Sequence, residues 1–356
     1  MNKKNKLLIV NPEQFGYGAG YYYYVKYLKE YYDITFACFD KGYTVIEEQN
    51  VNIIYLPFSK NQISRTYNYL KTLVLISKDN NFKIIFTKWF KFALMIPLLV
   101  KGEDKILDIR SVSVEYSKFD RILENSLKFI TSLPFKKVTV VSESSSKLLL
   151  IPKKKVNILP LGANIIDKSK KVYDKMYLLY VGVLDNRNLS ITIKGIKKFI
   201  ENNENCKSFK YFIIGYGTNE EESKIIDAIK ENNLDNVVVY LGKKHHTQLL
   251  PYLKNSTIGI SFVPQTSYYD VQPPTKIFEY ALSGLITIAT DTFESRKLIN
   301  EENGVICQDN ANSFLNALEK IYNNLDNYNE KSIRASLKDN QWDKIVDNYL
   351  IPILEK

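Results

Sequence analysis

The sequence predicts an α/β protein made of two Rossmann-like domains, each with a parallel sheet covered by helices. Its 356 residues exceed one ordinary α/β core and suit two domains of about 150–180 residues each. Short apolar runs alternate with longer amphipathic stretches, which is the pattern of βα repeats. This alternation is interrupted by a polar stretch after residue 161 and then begins again.

The first half should contain seven strands, because seven short apolar runs are separated by longer stretches. Helices are expected between many of these strands, for example over 20–31 and 117–133. The predicted strands cover 6–11, 34–38, 52–55, 83–87, 105–108, 137–142 and 156–159.

The second half repeats the pattern after a polar stretch, 162–175, which has no apolar period and is interpreted as a linker. The predicted strands cover 176–181, 211–215, 237–241, 257–261 and 285–289. The predicted helices cover 189–202, 220–232, 247–253, 274–283 and 311–324.

The chain ends in an amphipathic segment, 339–355, which has apolar residues at helical spacing. A helix of this kind is expected to pack back on the first domain. The predicted organisation is therefore an N-terminal domain over 1–162, a C-terminal domain over 163–338 and a returning helix over 339–356.

Composition excludes several classes of protein. The chain is 45% hydrophobic and 25% charged, as expected of a globular protein. Its three cysteines, Cys38, Cys206 and Cys307, lie too far apart for a zinc motif or a disulfide framework. The longest apolar run, 92–100, is interrupted by Pro97 and is far shorter than the ~20 residues of a membrane helix. We expect a cytoplasmic protein, either free or peripheral on the inner face of the cytoplasmic membrane.

The positive charge is concentrated in the first half. Residues 1–160 contain 25 lysines and arginines against 14 acidic residues, and the remainder contains 24 against 25. A membrane leaflet or a phosphorylated acceptor would meet this half first. A solvated basic surface with no specific partner explains the charge equally well. The basic and aromatic segment 88–101 could touch a membrane, although a core helix is the simpler interpretation.

The segment 273–284, PPTKIFEYALSG, has the composition of a loop followed by a helix. Thr275 is the expected N-cap and Gly284 the expected C-terminal stop. The free N–H groups and the positive helix end would form an anion site. Lys276 opposes the helix dipole unless a negative ligand is bound, and Glu279 suits a pair of vicinal hydroxyls. A solvated Lys–Glu face explains the same residues equally well.

This segment resembles the donor-binding motif of family 4 glycosyltransferases, in which two glutamates separated by seven residues precede a small-residue helix ending in glycine. Glu279 matches the second glutamate, which holds the donor ribose in that family. Val271 replaces the first glutamate, and Asp270 and Gln272 flank it. Pro274, Lys276 and Tyr280 match a familiar Pro-x-Lys-x-x-Glu-Tyr variant.

Further matches follow in the same order along the chain. The run 157–164 resembles the turn that enters the family's C-terminal domain, and LLYVGVLDNRN over 178–188 resembles that domain's first strand. Val183 replaces the usual arginine, and Arg187 lies near the usual lysine. Gly215 and Gly217 resemble a strand ending that lets backbone pass close to the nucleotide. Lys243 could face the base or a phosphate, although a surface lysine is the simpler interpretation.

The glycine-rich loop GYGAG, with Gly16, Gly18 and Gly20, is a weak signal alone, and its spacing argues against a dinucleotide fold. In the family this loop lies at the interdomain cleft, on the acceptor side. Four more residues resemble the wall of that cleft, although a buried ion pair or a helix cap would explain them too. They are Asp108, Arg110, Ser142 and Glu143.

The resemblance implies a GT-B fold, in which two Rossmann-like domains face each other across a cleft and the C-terminal helix returns to the N-domain. It also implies a retaining glycosyltransferase of the hexosyltransferase type that needs no metal, and the sequence contains no Asp-x-Asp pair. A nucleotide-diphosphate sugar would be the co-substrate, with no other cofactor. The expected catalytic residues are Arg187, Lys276 and Glu279. The expected donor-binding residues are Gly182, Gly215, Gly217, Lys243, Asp270, Pro274, Thr275 and Tyr280.

The expected acceptor is a glycan or a lipid-diphosphate-linked sugar in bacterial surface polysaccharide synthesis, and no nucleic acid is expected as a partner. Two other functions stay open. One is a catalytically impaired GT-B homologue that acts as a partner subunit, because Val271 and Val183 replace usual residues. The other is a sugar-nucleotide isomerase of the same fold.

Overall fold

The computed structural model describes residues 4–206, 208–245 and 248–356. The chain forms two compact units. The first unit comprises Met1–Leu161 and Trp342–Lys356, and the second unit comprises Gly162–Gln341. Each unit contains a parallel sheet whose strands are connected by helices. Both units are therefore Rossmann-like α/β domains, which confirms the predicted fold class.

The sheet of the first unit contains seven parallel strands, and each corresponds to a predicted strand. The strands are β1 (Asn5–Val10), β2 (Tyr32–Asp40), β3 (Val51–Pro57), β4 (Ile84–Lys88), β5 (Asp104–Ile109), β6 (Lys137–Val140) and β7 (Val156–Ile158). Their order is β3-β2-β1-β4-β5-β6-β7. Leu7 to Val10 of the central strand are all fully buried, as in a sheet with both faces covered.

The helices of the first unit connect these strands. They are α1 (Ala19–Leu28), α2 (Gln62–Asp79), α3 (Ile96–Leu99), α4 (Lys118–Ser132) and α5 (Glu143–Leu148). Short 3₁₀ turns occur at Ala93–Met95 and Lys153–Lys155. The segment 88–101 thus forms a strand end, a 3₁₀ turn and the short α3, where one continuous helix is the sequence-based expectation. No helix within the described ranges is long and apolar enough to span a membrane.

The sheet of the second unit contains six parallel strands. They are β8 (Met176–Val183), β9 (Phe209–Tyr216), β10 (Val238–Tyr240), β11 (Ile258–Ser261), β12 (Ile286–Thr290) and β13 (Gly304–Cys307). Their order is β10-β9-β8-β11-β12-β13. The sequence analysis did not predict β13, because its four residues are too few to show a period and begin with glycine.

The helices of the second unit are α6 (Ser190–Asn202), α7 (Asn219–Glu231), α8 (Leu250–Asn255), α9 (Ser267–Asp270), α10 (Thr275–Leu282), α11 (Phe293–Arg296), α12 (Ala311–Tyr322) and α13 (Glu330–Ser336). Short 3₁₀ turns follow at Leu325–Asn327 and Lys338–Asn340. The helix predicted over 247–253 begins at Leu250, and Thr247 lies outside the described residues.

The end of the chain packs into the core of the first unit. It forms α14 (Trp342–Ile345), a π-helical turn (Val346–Leu350) and α15 (Ile351–Glu355). Trp342 belongs to the same buried cluster as Leu7 and Tyr24. A β-carbon on Gly20 of α1 would lie 3.3 Å from the Trp342 ring. Gly20 therefore leaves room for this indole and has a role in the packing of the first unit.

The segment 162–175 is not a solvated linker, which corrects the sequence-based interpretation. Asp167 and Lys171 are buried and form an ion pair of 3.0 Å. The Lys171 ammonium donates to the carbonyls of Leu253 and Lys254 at the end of α8. Tyr173 donates to the carbonyl of Gly284 at 2.8 Å. Polar residues that pair with each other and with backbone carbonyls can be buried without an apolar period in the sequence.

Candidate functional site

The candidate site lies at the carboxyl ends of the central strands of the second unit. β8 is the first strand of this unit, and β9 and β11 flank it on its two sides. The chain runs outward from β8 through β9 to β10 and then returns to β11 on the other side of β8, so the strand order reverses between β8 and β11. In open α/β sheets, ligands bind outside the carboxyl ends of the strands at this switch point. Gly182, the second-last residue of β8, lies at this point, and Lys276 of α10 lies against it.

Helix α10 begins at the switch point. Pro274 is its N-cap residue and makes no side-chain capping bond, while Thr275 is already the first helical residue and is exposed. This corrects the assignment of Thr275 as the N-cap. No side chain at the N-cap of α10 accepts a hydrogen bond from the first N–H groups of the helix. These N–H donors and the positive end of the helix dipole are therefore suited to binding an anion.

The other end of α10 is closed by the predicted glycine. Gly284 has φ +76° and follows the C-cap residue Ser283. Its N–H donates to the Ala281 carbonyl at 2.9 Å, and the N–H of Leu285 donates to the Tyr280 carbonyl at 2.9 Å. These two bonds form a Schellman motif, which only a residue tolerant of positive φ closes without strain.

Lys276 lies across the end of β8. A β-carbon on Gly182 would be 2.8 Å from both Cε and Nζ of Lys276. The ammonium is also 4.9 Å from the centroid of the Tyr180 ring, within reach of a cation–π interaction. Tyr180 is fully buried, and its hydroxyl donates to the Val183 carbonyl at 2.5 Å. The absence of a side chain at Gly182 is therefore what lets the lysine reach the strand end.

The charges of this site are incompletely paired. Among the described residues, no hydrogen bond or ion pair joins Lys276 or Glu279 to another side chain. Burial, together with the nearby Arg187 charge, lowers the pKa of Lys276 to about 8. Burial raises the pKa of Glu279, and the Lys276 charge opposes that rise. Both groups would be stabilised in their charged forms by a ligand that brings an anion to the lysine and hydroxyl donors to the glutamate.

Arg187 is held in the loop between β8 and α6. Its guanidinium donates to the Tyr269 hydroxyl and lies 4.7 Å from the centroid of the same ring. The Tyr269 hydroxyl in turn donates to the Asn186 carbonyl at 3.0 Å. The Arg187 Nε is buried and makes no hydrogen bond within the described part of the chain. An unpaired buried donor next to a second cation favours an anionic ligand.

Close packing at the ends of β8 and β9 explains why positions 215 and 217 are glycines. A β-carbon on Gly215 would lie 1.9 Å from the Gly182 carbonyl oxygen, so the ends of β8 and β9 approach too closely for a side chain. A β-carbon on Gly217 would lie 3.0 Å from the Asp185 carboxylate, which accepts from the Thr218 N–H at 2.8 Å. Lys243 is exposed, and its ammonium is 4.7 Å from the centroid of the Tyr216 ring.

Two predicted donor-binding residues have other roles. Tyr280 is buried in the core, where its hydroxyl accepts from the Val181 N–H at 3.0 Å and its ring fills the space that the absent side chain of Gly259 leaves. Asp270 accepts from the Phe293 N–H at 2.7 Å and so connects α9 to the start of α11. Both side chains therefore have a structural role within the fold.

Two residues that were predicted to line the acceptor side form a buried network in the first unit. Asp108 is fully buried and accepts from the hydroxyls of Tyr21 at 2.7 Å and Thr139 at 2.6 Å. Its carboxylate lies 3.5 Å from the Arg110 guanidinium, which donates to the Leu159 carbonyl at 2.9 Å. The buried ion pair, left open by the sequence, is thus the role of Asp108 and Arg110.

Ser142 caps α5, since its hydroxyl accepts from the Ser145 N–H at 3.0 Å, and Glu143 is an exposed residue of the first turn. This cap is the structural role that the sequence left open for Ser142. Gly16 has φ +87° and lies against Ile46, and Gly18 is the N-cap of α1. These two glycines shape the loop after β1, as the sequence predicts for a turn.

Tyr180 and Tyr269 belong to this site but were not predicted from the sequence. Tyr180 lies two residues before Gly182 on β8, so both face the same side of the strand, and this spacing could have indicated it. Tyr269 lies in the short α9, more than 80 positions from its partner Arg187. No local pattern connects these two residues, because only the sheet order brings them together.

Comparison with known proteins places this site in a family domain. Residues 175–324 match the family model described as glycosyl transferases group 1. Comparison with curated protein sequences finds no match. These 150 residues include Gly182, Arg187, Lys276 and Glu279, which meet at the switch point.

The whole chain is similar in structure to solved glycosyltransferases. Sucrose-phosphate synthase from Thermosynechococcus elongatus has a TM-score of 0.72 at 15% identity, and the match covers 97% of each chain. HepE from Anabaena, in complex with UDP and glucose, has a TM-score of 0.77 at 13% identity over 99% of each chain. The UDP-forming α,α-trehalose-phosphate synthase from Burkholderia vietnamiensis has a TM-score of 0.72 at 10% identity over 99% of this chain and 100% of that one.

At these identities the structural matches establish the fold, and the family model establishes the domain. Both results agree with the parallel sheets of the two units. The second unit is therefore a domain of the group 1 glycosyl transferases, in a chain that has the GT-B fold with two Rossmann-like domains and is a glycosyltransferase.

Proposed function

We propose that this protein transfers a sugar from a nucleoside-diphosphate sugar held at the switch point of the second unit. The observation that carries the proposal is the arrangement of Lys276 and Arg187. These two cations converge at the end of β8, and Gly182 leaves the space that Lys276 occupies. A diphosphate supplies the negative charge that this arrangement lacks. HepE, whose structures contain UDP and UDP-glucose, has the same fold.

Each of the three central residues has a distinct role in this proposal. Lys276 and Arg187 neutralise the charge that develops on the departing diphosphate, with the start of α10 adding oriented N–H donors. Glu279 accepts hydrogen bonds from the two ribose hydroxyls, which would favour its ionised form and offset the effect of burial on its pKa. Because protein cations stabilise the leaving group, we propose that transfer needs no metal ion and no cofactor besides the nucleotide sugar.

The stereochemistry and the acceptor follow from the resemblance of residues 273–284 to family 4 glycosyltransferases. We infer that the sugar is transferred with retention of configuration. The excess of lysine and arginine over acidic residues in the first half favours an anionic acceptor, such as a glycan on a lipid diphosphate. We accordingly propose a role in the synthesis of bacterial surface polysaccharide.

The experiment that tests this function measures sugar release and transfer from radiolabelled UDP-, GDP- and dTDP-sugars. We expect the wild type to consume at least one donor, by slow hydrolysis or by transfer to an acceptor. Lys276→Ala should lower turnover by about 10²-fold or more, as removal of one stabilising charge does elsewhere. Lys194→Ala, which removes an exposed lysine on α6, is the matched control and should keep full activity.

If Lys276→Ala turns over as fast as the wild type, the role of Lys276 is wrong. If the wild type binds a nucleoside diphosphate but consumes none of the donors with any acceptor, the alternative of a catalytically impaired partner subunit gains support. Conversion of the labelled sugar to an isomer while it stays on the nucleotide would instead indicate the isomerase.

A further inference from the structure

Helix α4 of the first unit presents its apolar side to solvent. Five large apolar residues lie on one face of the helix, at positions i, i+3, i+4, i+11 and i+14. They form what we call the α4 stripe, with exposed fractions of 73% for Phe119, 56% for Ile122, 50% for Leu123, 49% for Ile130 and 47% for Leu133. In an ordinary surface helix such residues face the core. At about 1.5 Å per residue, the stripe is roughly 21 Å long.

The opposite, polar face of α4 packs against the domain. Lys128 is buried and pairs with Glu124 at 2.6 Å, and the Glu124 carboxylate also accepts from the Ser113 hydroxyl at 2.8 Å. The Ser113 N–H donates to the Asn125 side chain at 2.9 Å. The Lys128 ammonium lies 4.9 Å from the centroid of the Trp89 ring. The two bonds from Ser113 and the contact with Trp89 join α4 to other segments and fix the rotation of the helix about its axis, so the stripe cannot turn inward without breaking them.

Basic residues lie beside the C-terminal end of the stripe. Lys155 donates to the carbonyls of Ser132 and Leu133, which holds the turn Lys153–Lys155 next to the last residue of the stripe. Lys153 and Lys154 in this turn are exposed. Lys136, three residues after Leu133, is exposed as well. The structure therefore places three exposed positive charges at one end of an exposed apolar face.

We propose that the α4 stripe docks the first unit on a phospholipid bilayer with anionic headgroups. The helix would lie in the plane of the interface, with the stripe among the acyl chains near the headgroups and the lysines on the anionic phosphates. An apolar helical face flanked by lysines is the arrangement that binds such surfaces. A second copy of the chain fits less well, because a parallel pairing of two stripes would bring these lysines close to their like-charged counterparts, and an antiparallel pairing would place them beside Lys118 and Arg121 at the start of the partner helix as well as Asp120.

The test is sedimentation of the full-length protein with vesicles of phosphatidylcholine alone or with added phosphatidylglycerol. We expect binding to the anionic vesicles only, with weakening at high salt. The double variant Ile122→Glu/Ile130→Glu should lower the partition coefficient roughly tenfold or more. Lys153→Gln/Lys154→Gln should lower it about fivefold for each lysine removed. The matched control is Ile63→Glu on α2, where Ile63 is 81% exposed, and it should bind as the wild type does.

Unchanged thermal unfolding of each variant shows that the fold is intact, since all the substituted side chains are exposed. This readout and the vesicle assay do not depend on donor binding, so the result stands apart from the proposed function. Failure of the wild type to bind anionic vesicles would overturn the proposal, and so would equal binding by the stripe variant. A wild type that dimerises through the stripe, as sedimentation velocity would show, and does not bind vesicles would assign the face to a second copy instead.

Discussion

At the residue scale, Lys276 lies in an environment unlike that of a surface lysine. Its pKa is lowered to about 8, first by burial and then by the Arg187 charge. The positive charge that should bind a diphosphate is therefore lost as pH rises through about 8, whereas an ordinary lysine would keep it to about 10. Below about pH 8 the charged Lys276 lowers the free energy of unfolding, because the unfolded chain binds the lysine's proton more tightly than the folded chain does.

This titration predicts a pH dependence of ligand binding. Between pH 7 and pH 9, the association constant for the nucleoside diphosphate that binds best should fall roughly tenfold, since about one lysine in ten stays protonated one unit above the pKa. Calorimetric titrations at the two pH values measure the change. Lys276→Met should bind more weakly and lose this dependence. An unchanged pH dependence in Lys276→Met would assign the titrating group elsewhere.

Substitution of Gly182 should lower activity, as substitution of the neighbouring Lys276 should. In Gly182→Ala the new methyl group would lie 2.8 Å from Lys276 Nζ, at a residue with φ +150°. We expect the displaced ammonium to lower kcat/KM by tenfold to about 10²-fold. Steady-state kinetics of the two single variants and the double variant form a cycle. In the Lys276→Met background the alanine should have little further effect, and full additivity would show that the two positions act independently.

Of the residues in the candidate site, only those that belong to a local sequence pattern could be predicted from the sequence. Lys276 and Glu279 stand out because a lysine in the first turn opposes the helix dipole and a glutamate follows one turn later. Tyr269 and Tyr180 have no such pattern. The sequence left two roles open for Asp108 and Arg110, the wall of a cleft and a buried ion pair. It could not show that the hydroxyls of Tyr21 and Thr139 donate to the Asp108 carboxylate.

At the element scale, α10 is fixed at its far end by residues distant in the chain. Arg334 of α13 donates to the carbonyl of Leu282 at 3.1 Å and to that of Ser169 at 3.0 Å. Tyr173 of the segment 162–175 donates to the Gly284 carbonyl at 2.8 Å, and the Lys171 Cγ would lie 3.3 Å from a β-carbon on Gly284. These bonds satisfy carbonyls that a helix end leaves open. They hold in place the helix that carries Lys276 and Glu279.

Gly284→Ala tests how tightly that end is closed. The new β-carbon would lie 3.2 Å from Arg334 Nε and 3.3 Å from Lys171 Cγ, at φ +76°. We expect a loss of about 2–3 kcal/mol in the free energy of unfolding, from left-handed strain and a displaced arginine together. Gly242→Ala is the control, because its φ is +63° with nothing within 4 Å, and strain alone should cost it about 1–2 kcal/mol. Urea denaturation that finds equal losses would show that Arg334 adjusts freely.

The strands were predicted better than the segments between them. Twelve strands follow apolar runs that the sequence displays, whereas β13 is short and begins with Gly304. The segment 162–175 was misread because charged residues are usually solvated. Here Asp167 and Lys171 are buried as a pair with backbone partners, and a pattern based on hydrophobicity cannot detect such pairs.

At the scale of the whole molecule, the first unit is completed by the end of the chain. Trp342 is buried, and its ring centroid lies 5.6 Å from that of Tyr24 on α1. Trp342→Ala should cost about 3–5 kcal/mol, as for other large aromatic residues removed from a core. Hydrogen exchange should then accelerate in β1 and α1, while β8 and β11 of the second unit keep their protection. Equal acceleration in both units would contradict a core that belongs to the first unit.

The central claim is that Lys276, Arg187 and Glu279 form a nucleoside-diphosphate site in the second unit. Calorimetric titration of the wild type, Lys276→Met and Lys194→Met with UDP, GDP and dTDP at pH 7 tests it most directly. At least one nucleotide should bind the wild type and Lys194→Met equally well, and Lys276→Met roughly 10- to 100-fold more weakly, as expected for the loss of a charged contact. Absence of binding by all three nucleotides, or equal affinity in Lys276→Met, would contradict the account.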